Sequence, residues 1–277
     1  MDSTHVKTLR RRVGSMPRKK KEKKMELKWK TAFELWEERR NIKRLKTGTP
    51  IDELIGGGIE EGEVVEFYGE FGSGKTQTAL TLTTCVAGEM DENVLFVDCE
   101  GTFKPERVVE IAGARGYDPE EVLKRIHLVQ PLTSDEQMEV FDQIPKDVKP
   151  KLVVVDGVTT LFRQEYIGRE NLSKRQGLLR QFLRKMITYV RQNRAFGVVT
   201  NQVYGNPDGT PFMPLEYREL AVGGHSLYHT IDNRIFLRKA KGGTRIARLV
   251  DSSRYPMQER PFKITEKGIE PIESEES

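Results

Sequence analysis

Residues 69–76 read GEFGSGKT, set between the apolar run EVVEFYG (63–69) and KTQTALTLTTCVAG (75–88). The spacing Gly69, four residues, Gly74, Lys75, Thr76 restricts the chain more than any other feature. Glycines in a strand-to-helix loop let backbone N–H groups close around phosphate oxygens, and the dipole of the following helix favours negative charge there. The loop residues Gly69, Glu70, Phe71, Gly72, Ser73 and Gly74 are therefore read as nucleotide-binding. Lys75 is expected to reach the β- and γ-phosphates of ATP, and Thr76 to offer its hydroxyl to Mg2+. A glycine turn before a helix is the competing reading. The preceding strand and following helix are what the phosphate reading requires.

From residue 62 onward, apolar runs alternate with helical patterns. Strands are expected at 63–69, 93–99, 126–130, 151–157 and 196–202. Helices are expected at 75–88, 105–116, 118–126 and 133–144. Leu179, Phe182, Leu183, Met186, Ile187 and Val190 recur at steps of three and four, which makes 172–192 one long amphipathic helix. A hairpin is expected within 231–250, turning at KGG (241–243). Continuous apolar strands between helices imply an α/β fold: a mostly parallel central sheet, helices on both faces, and a C-terminal hairpin. A short charged helix is expected at 31–44. The organisation follows as a basic disordered tail (1–24), a linker segment (25–46), the core (47–272) and a short acidic tail (273–277).

Three strand ends carry chemistry. Strand 151–157 delivers Asp156 to the carboxyl edge of the sheet, where such folds bind ligands; it is read as a holder of the Mg2+ water shell. Strand 93–99 runs into DCEGTF (98–103), placing Glu100 at the same edge, where a carboxylate can orient or deprotonate an attacking water. FGVVTNQ ends in Gln202, an amide able to sense a γ-phosphate without adding charge. Alone, each is ambiguous, and an Asp capping a turn is common. Around one phosphate loop they read as a hydrolysis site with Lys75, Glu100 and Gln202 as its catalytic groups.

Charge bounds the partners. The net charge of +4 divides into +11 for residues 1–46 and −7 for residues 47–277. An argument for nucleic acid must therefore rest on the tail or on local clusters. The tail itself reads as a solvated segment, a localisation signal or a loose phosphate contact. No run approaches the ~20 apolar residues of a membrane span, so no membrane partner is expected. Two cysteines, Cys85 and Cys99, suit a reducing compartment and a cytoplasmic, nucleoid-associated location.

The segments GEFGSGKTQ (69–77), DCEGTFKPER (98–107), EYIGR (165–169), TNQV (200–203), GGH (223–225), LRKAKGGTRIARLVD (237–251) and ITEKGIE (264–270) occur in an order that resembles the RecA-type recombinases, especially the archaeal RadA kind. The resemblance runs from about residue 29 to 270. It implies a RecA-like P-loop ATPase core, and it adds Gln77 to the nucleotide loop. It implies that Glu100 positions the water, that Asp156 lies near Mg2+, that Arg107 stacks on adenine and that Gln202 links the γ-phosphate to a DNA-binding loop. ATP in this family lies between neighbouring subunits, so Asp251 would cap the next subunit's nucleotide and His225 would lie near that interface.

The family binds single-stranded DNA through two loops. The first corresponds to residues 163–175, with Arg163, Arg169 and Arg175. The second corresponds to about 203–221, where Arg218 is the only basic residue beside Asp208, Glu216 and Glu219. This departs from the family, whose loop carries an early arginine, and a net negative loop binds phosphate poorly. Family members polymerise through a Phe-x-x-Ala segment. The matching stretch is WKTA, with Trp29 in place of the Phe and Ala32 retained, which suggests self-assembly or assembly with a RadA recombinase. The family's N-terminal helix-hairpin-helix domain has no counterpart in the basic tail, a truncation shared with core-only RadA paralogues. The expected function is a DNA-dependent ATPase of homologous recombination and repair. The alternative is a regulatory ATP-binding protein whose nucleotide site controls assembly with a recombinase.

Overall fold

A computed structural model describes residues 29–205, 219–221 and 231–272. The chain divides into two units, one up to Asn41 and one from Ile42 onward. The first holds α1 (Ala32–Arg39), started by a capping box: the Thr31 hydroxyl accepts from Glu34 N–H at 3.1 Å, and Thr31 N–H donates to the Glu34 carboxylate at 2.7 Å. The helix is shorter than the expected 31–44. Residues beyond it change role, because Leu45 is buried in the second unit and belongs to β1 (Arg44–Leu45).

The second unit continues with α2 (Pro50–Leu54), β2 (Ile59–Glu60), β3 (Val64–Gly69), α3 (Lys75–Gly88), β4 (Val94–Asp98), α4 (Pro105–Arg115), α5 (Pro119–Lys124), β5 (Ile126–Val129), α6 (Ser134–Glu139), β6 (Leu152–Asp156), α7 (Thr160–Glu165), α8 (Leu172–Gln192), β7 (Phe196–Gly205), β8 (Glu219–Ala221), β9 (Asn233–Lys239), β10 (Arg245–Ser252), β11 (Gln258–Thr265) and β12 (Gly268–Pro271). β1 and β2 form a small antiparallel pair. Among the described residues the large sheet runs β12-β11-β10-β9-β3-β7-β6-β4-β5, with β8 attached to β7. The stretch from β9 to β5 is parallel, and β9 to β12 is an antiparallel meander. This is the RecA-like α/β architecture expected from the sequence.

Side chains alternate between two buried layers. Val65 and Phe67 of β3 pack with α2, α3, α4 and α5, while Val64 packs on the side of α7 and α8. Burial on both faces explains why the strands read as unbroken apolar runs. The α8 stripe foreseen in the sequence is the buried one: Leu179, Phe182, Leu183, Met186, Ile187 and Val190. At about 1.5–3 kcal/mol for each fully buried side chain, that stripe contributes on the order of 10 kcal/mol before entropy is counted.

Other elements depart from expectation. The helix expected at 133–144 is α6 followed by a 3-10 turn at Val140–Asp142. The hairpin at 231–250 exists but is half of a longer meander. β11 was hidden by Pro261 and by alternating charges, with Phe262 as its fully buried side chain. The expected loop 203–221 is paired at its base: β7 runs on to Gly205, and Val203, Tyr204 and Gly205 oppose Ala221, Leu220 and Glu219.

Candidate active site

β3 ends at Gly69, the loop follows, and α3 begins at Lys75. Gly74 caps the helix in the left-handed region, φ 107°, a conformation open to glycine. α3 has neither a side-chain cap nor an acidic residue in its first turn. Its leading N–H groups are thus left for an anion. Ser73 Oγ is buried and has no hydrogen-bond partner among the described residues, so the loop holds a spare polar group as well.

Lys75 folds over this loop, its Nζ donating to the carbonyls of Gly69 at 3.0 Å and Glu70 at 2.9 Å. Burial pushes its ammonium pKa down, while Glu100 and Asp156 pull against that shift. Thr76 Oγ1 donates to Asp156 Oδ2 at 2.9 Å, and Thr200 Oγ1 donates to Asp156 Oδ1. Burial raises the Asp156 carboxyl to about 6, the two hydroxyls oppose this, and Glu100 and Asp98 add to it. A buried carboxylate beside a P-loop threonine and carrying strained charge is a donor set suited to a hydrated divalent cation. The residues present therefore fit a nucleotide with Mg2+.

Glu100 and Gln202 meet directly. Gln202 Nε2 donates to Glu100 Oε1 at 2.9 Å, and Thr160 Oγ1 reaches the same oxygen at 3.3 Å. Close approach is set by Gly157, where a Cβ would lie 2.5 Å from Glu100 Cγ. The turn bearing Glu100 is held by buried Asp98, which accepts from Thr102 N–H at 3.1 Å, Phe103 N–H at 2.9 Å and Gln130 Nε2 at 2.9 Å. Asp98, Thr160 and Thr200 were missed in the sequence. The one local signal was the acid at position 98 in the strand end already singled out.

Gln77 accepts from Arg107 Nε at 2.8 Å, and Arg107 also donates to Glu110 at 2.6 Å and to the Thr265 carbonyl. Its guanidinium is therefore fixed next to the first turn of α3. Glu70 lies 3.8 Å from Lys239 Nζ, and Phe71 projects at 95% exposure. Asp251 is exposed on β10. The register sets it level with Arg234 and so with Glu66, below Gly69, so it does not line the loop of its own protomer.

The remaining expected contacts fall in several places. The segment 163–175 is not one loop: Arg163 is on α7 and Arg175 is on α8, where its guanidinium donates to the Tyr166 carbonyl at 3.3 Å. Glu165 fixes the end of α7 by accepting from Ser134 N–H at 2.6 Å. The irregular part is 166–171, with Arg169 exposed. Arg218 and His225 lie outside the described residues, as do tail residues 1–24 and 273–277. Trp29 is 90% exposed, and Ala32 opens α1. In the second unit a cleft of about 880 Å³ lies beside edge strand β5, lined in part by His127, Val129, Met138, Val140, Ile144 and Pro145. Leu128 of β5 and Leu132 are exposed. Among the described residues no helix is long and apolar enough to cross a membrane.

Residues 38–272 match the family model described as Rad51. The chain is 40% identical over 262 residues to the DNA repair and recombination protein RadA of Metallosphaera sedula, covering 90% of this chain and 79% of that protein. It is 42% identical over 254 residues to the protein of the same name from Aeropyrum pernix, covering 88% of this chain and 78% of that one. With a P-loop, the strand-end groups Glu100, Asp156 and Gln202 on one sheet edge and these matches along most of its length, the chain belongs to the Rad51 family of RecA-type proteins.

Proposed function

We propose that this chain is a DNA-dependent ATPase of homologous recombination and repair, binding single-stranded DNA together with ATP and Mg2+. The observation that carries the reading is the 2.9 Å hydrogen bond from Gln202 to Glu100. It joins the carboxylate able to activate water to the base of the β7–β8 hairpin, from which the second DNA loop springs.

Lys75 and the α3 N-terminus hold the phosphates, and Thr76 with Asp156 would hold the Mg2+ water shell. Mg2+, when bound, offsets charge on the β- and γ-phosphate oxygens. Among the described residues the hydrogen bonds to Glu100 fall on Oε1, which leaves Oε2 to accept a proton from water. DNA that moves the hairpin would move Gln202 and change how Glu100 is held. Arg107, pinned by Gln77, presents a flat guanidinium for stacking on the base. Arg163, Arg169, Arg175 and Arg218 contact DNA phosphates.

Assembly completes the site. Asp251 caps the nucleotide of the next copy, and His225 lies near that junction. Trp29, with Ala32 behind it, is the anchor offered to a neighbour, and the apolar cleft beside β5 is the receiving site, because an edge strand has backbone groups free for another chain. The acidic second loop favours work alongside a RadA-type recombinase over strand exchange by this chain alone. The location is cytoplasmic.

Gln202→Ala tests the coupling. It is expected to retain DNA binding and nucleotide binding while losing most of the stimulation of turnover by single-stranded DNA. Full stimulation in that variant would refute the coupling role.

A further inference from the structure

Charge is uneven over the second unit. Residues 47–277 carry a net −7, yet residues 171–194 hold seven Lys or Arg and no Asp or Glu. Nearly all of that stretch is α8. Its buried stripe faces the sheet. At 3.6 residues per turn, Arg180, Arg184 and Arg191 fall within roughly 40° of one another around the helix, in line with Ser173, and Arg180 to Arg191 spans about 16 Å. All four are exposed, as are neighbouring Gln181, Thr188 and Gln192.

Nearby acids do little to neutralise this row. Asp142 pairs with Lys185 at 2.5 Å and Glu61 pairs with Arg194 at 2.8 Å, while Asp232 comes no closer than 3.7 Å to Arg191. Arg180 and Arg184 make no ion pair among the described residues. Three guanidinium groups are thus aligned on a helix anchored by its buried stripe, on an otherwise acidic body.

We propose that this row binds the phosphate backbone of duplex DNA, as a contact distinct from the single-strand contacts assigned above. Guanidinium groups pair with phosphate oxygens in bidentate fashion, and the interleaved hydroxyl and amide side chains add further phosphate donors without reading sequence. A protein partner would need apolar anchors. The nearest candidates, Phe141 and Tyr189, are half-buried and pack against each other as tilted rings, centroids 6.1 Å apart. The same lack of projecting aromatics argues against single strands, which bind by stacking. A rigid row matches a stiff duplex. It begins at the end of α8 where the Arg169 loop opens, so a duplex lying along it is led toward the single-strand region. The inference stands on charge and geometry of α8 and does not depend on the loop contacts.

The test uses the full chain, a labelled duplex of about 30 base pairs for anisotropy across a salt series, and a parallel ATPase assay with a saturating single strand. Arg180→Gln, Arg184→Gln and Arg191→Gln combined are expected to weaken duplex binding at least tenfold at about 100 mM salt. The salt slope should fall by up to about 2.7, at 0.9 per phosphate lost. The three Arg→Lys changes should keep most of the affinity, and the melting temperature and single-strand stimulation should stay near wild type. Wild-type duplex affinity and slope in the Gln variant would overturn the proposal, as would unchanged duplex binding with lost retention of polyglutamate. An Arg163→Gln, Arg169→Gln variant tests the other reading separately: it should keep duplex binding while losing single-strand stimulation. Loss of both activities in either variant would mean one shared site and would also overturn the proposal.

Discussion

Replacing Asp156 with Asn should stabilise the fold while abolishing turnover. Asp156 is buried, and its carboxyl is raised from 3.8 to about 6, chiefly by burial. At 1.36 kcal/mol per pH unit, the ionised form costs the folded state about 3 kcal/mol without metal. The folded protein binds this proton more tightly than the unfolded chain does. The cost is therefore absent below about pH 4, grows as pH rises, and is fully present above about pH 6. Asn has nearly the same shape, and the Thr76 and Thr200 hydroxyls can rotate to meet its oxygen and amide. In EDTA at pH 8 the variant should melt higher, by about 6 °C or more for a unit of this size. The gap should close as pH falls toward 4. ATP with Mg2+ should raise the melting temperature of the wild type and much less that of the variant. An Asn variant that melts at or below the wild type at pH 8, or a gap independent of pH, would refute the reasoning.

Two further outcomes follow from the same geometry. Glu100→Gln keeps the Gln202 neighbour and the shape of the turn but removes the proton acceptor; kcat should fall about 10²- to 10⁴-fold with nucleotide binding retained, measured by single-turnover hydrolysis beside equilibrium binding. Trp29→Ala should shift the size distribution in light scattering toward smaller species, and an unchanged distribution would remove Trp29 as the assembly anchor.

The sequence was most legible where the physics is local or periodic. Gly69 to Thr76 carry their own loop and helix start, and α8 shows its stripe in the spacing of Leu179 through Val190. Glu100, Asp156 and Gln202 could be placed together because ends of parallel strands share an edge. Their mutual geometry was not legible. Thr160 reaches Glu100 and Gln130 reaches Asp98 across long stretches of chain, and no spacing rule announces such pairs. The helical placement of Arg163 was missed because α7 is short and lies between glycine-bearing segments, whereas Arg175 already fell within the expected helix 172–192. β11 escaped because Pro261 and surface charges mask its period.

The central claim is that this chain couples ATP hydrolysis to single-stranded DNA through the P-loop site. The direct measurement is ATP turnover by the full chain with and without single-stranded DNA, across a salt series, beside Lys75→Ala. The account predicts turnover that rises with DNA, declines as salt weakens the phosphate contacts, and vanishes in Lys75→Ala. Nucleotide binding with slow turnover that DNA does not change would contradict it and would favour a site that regulates assembly alone.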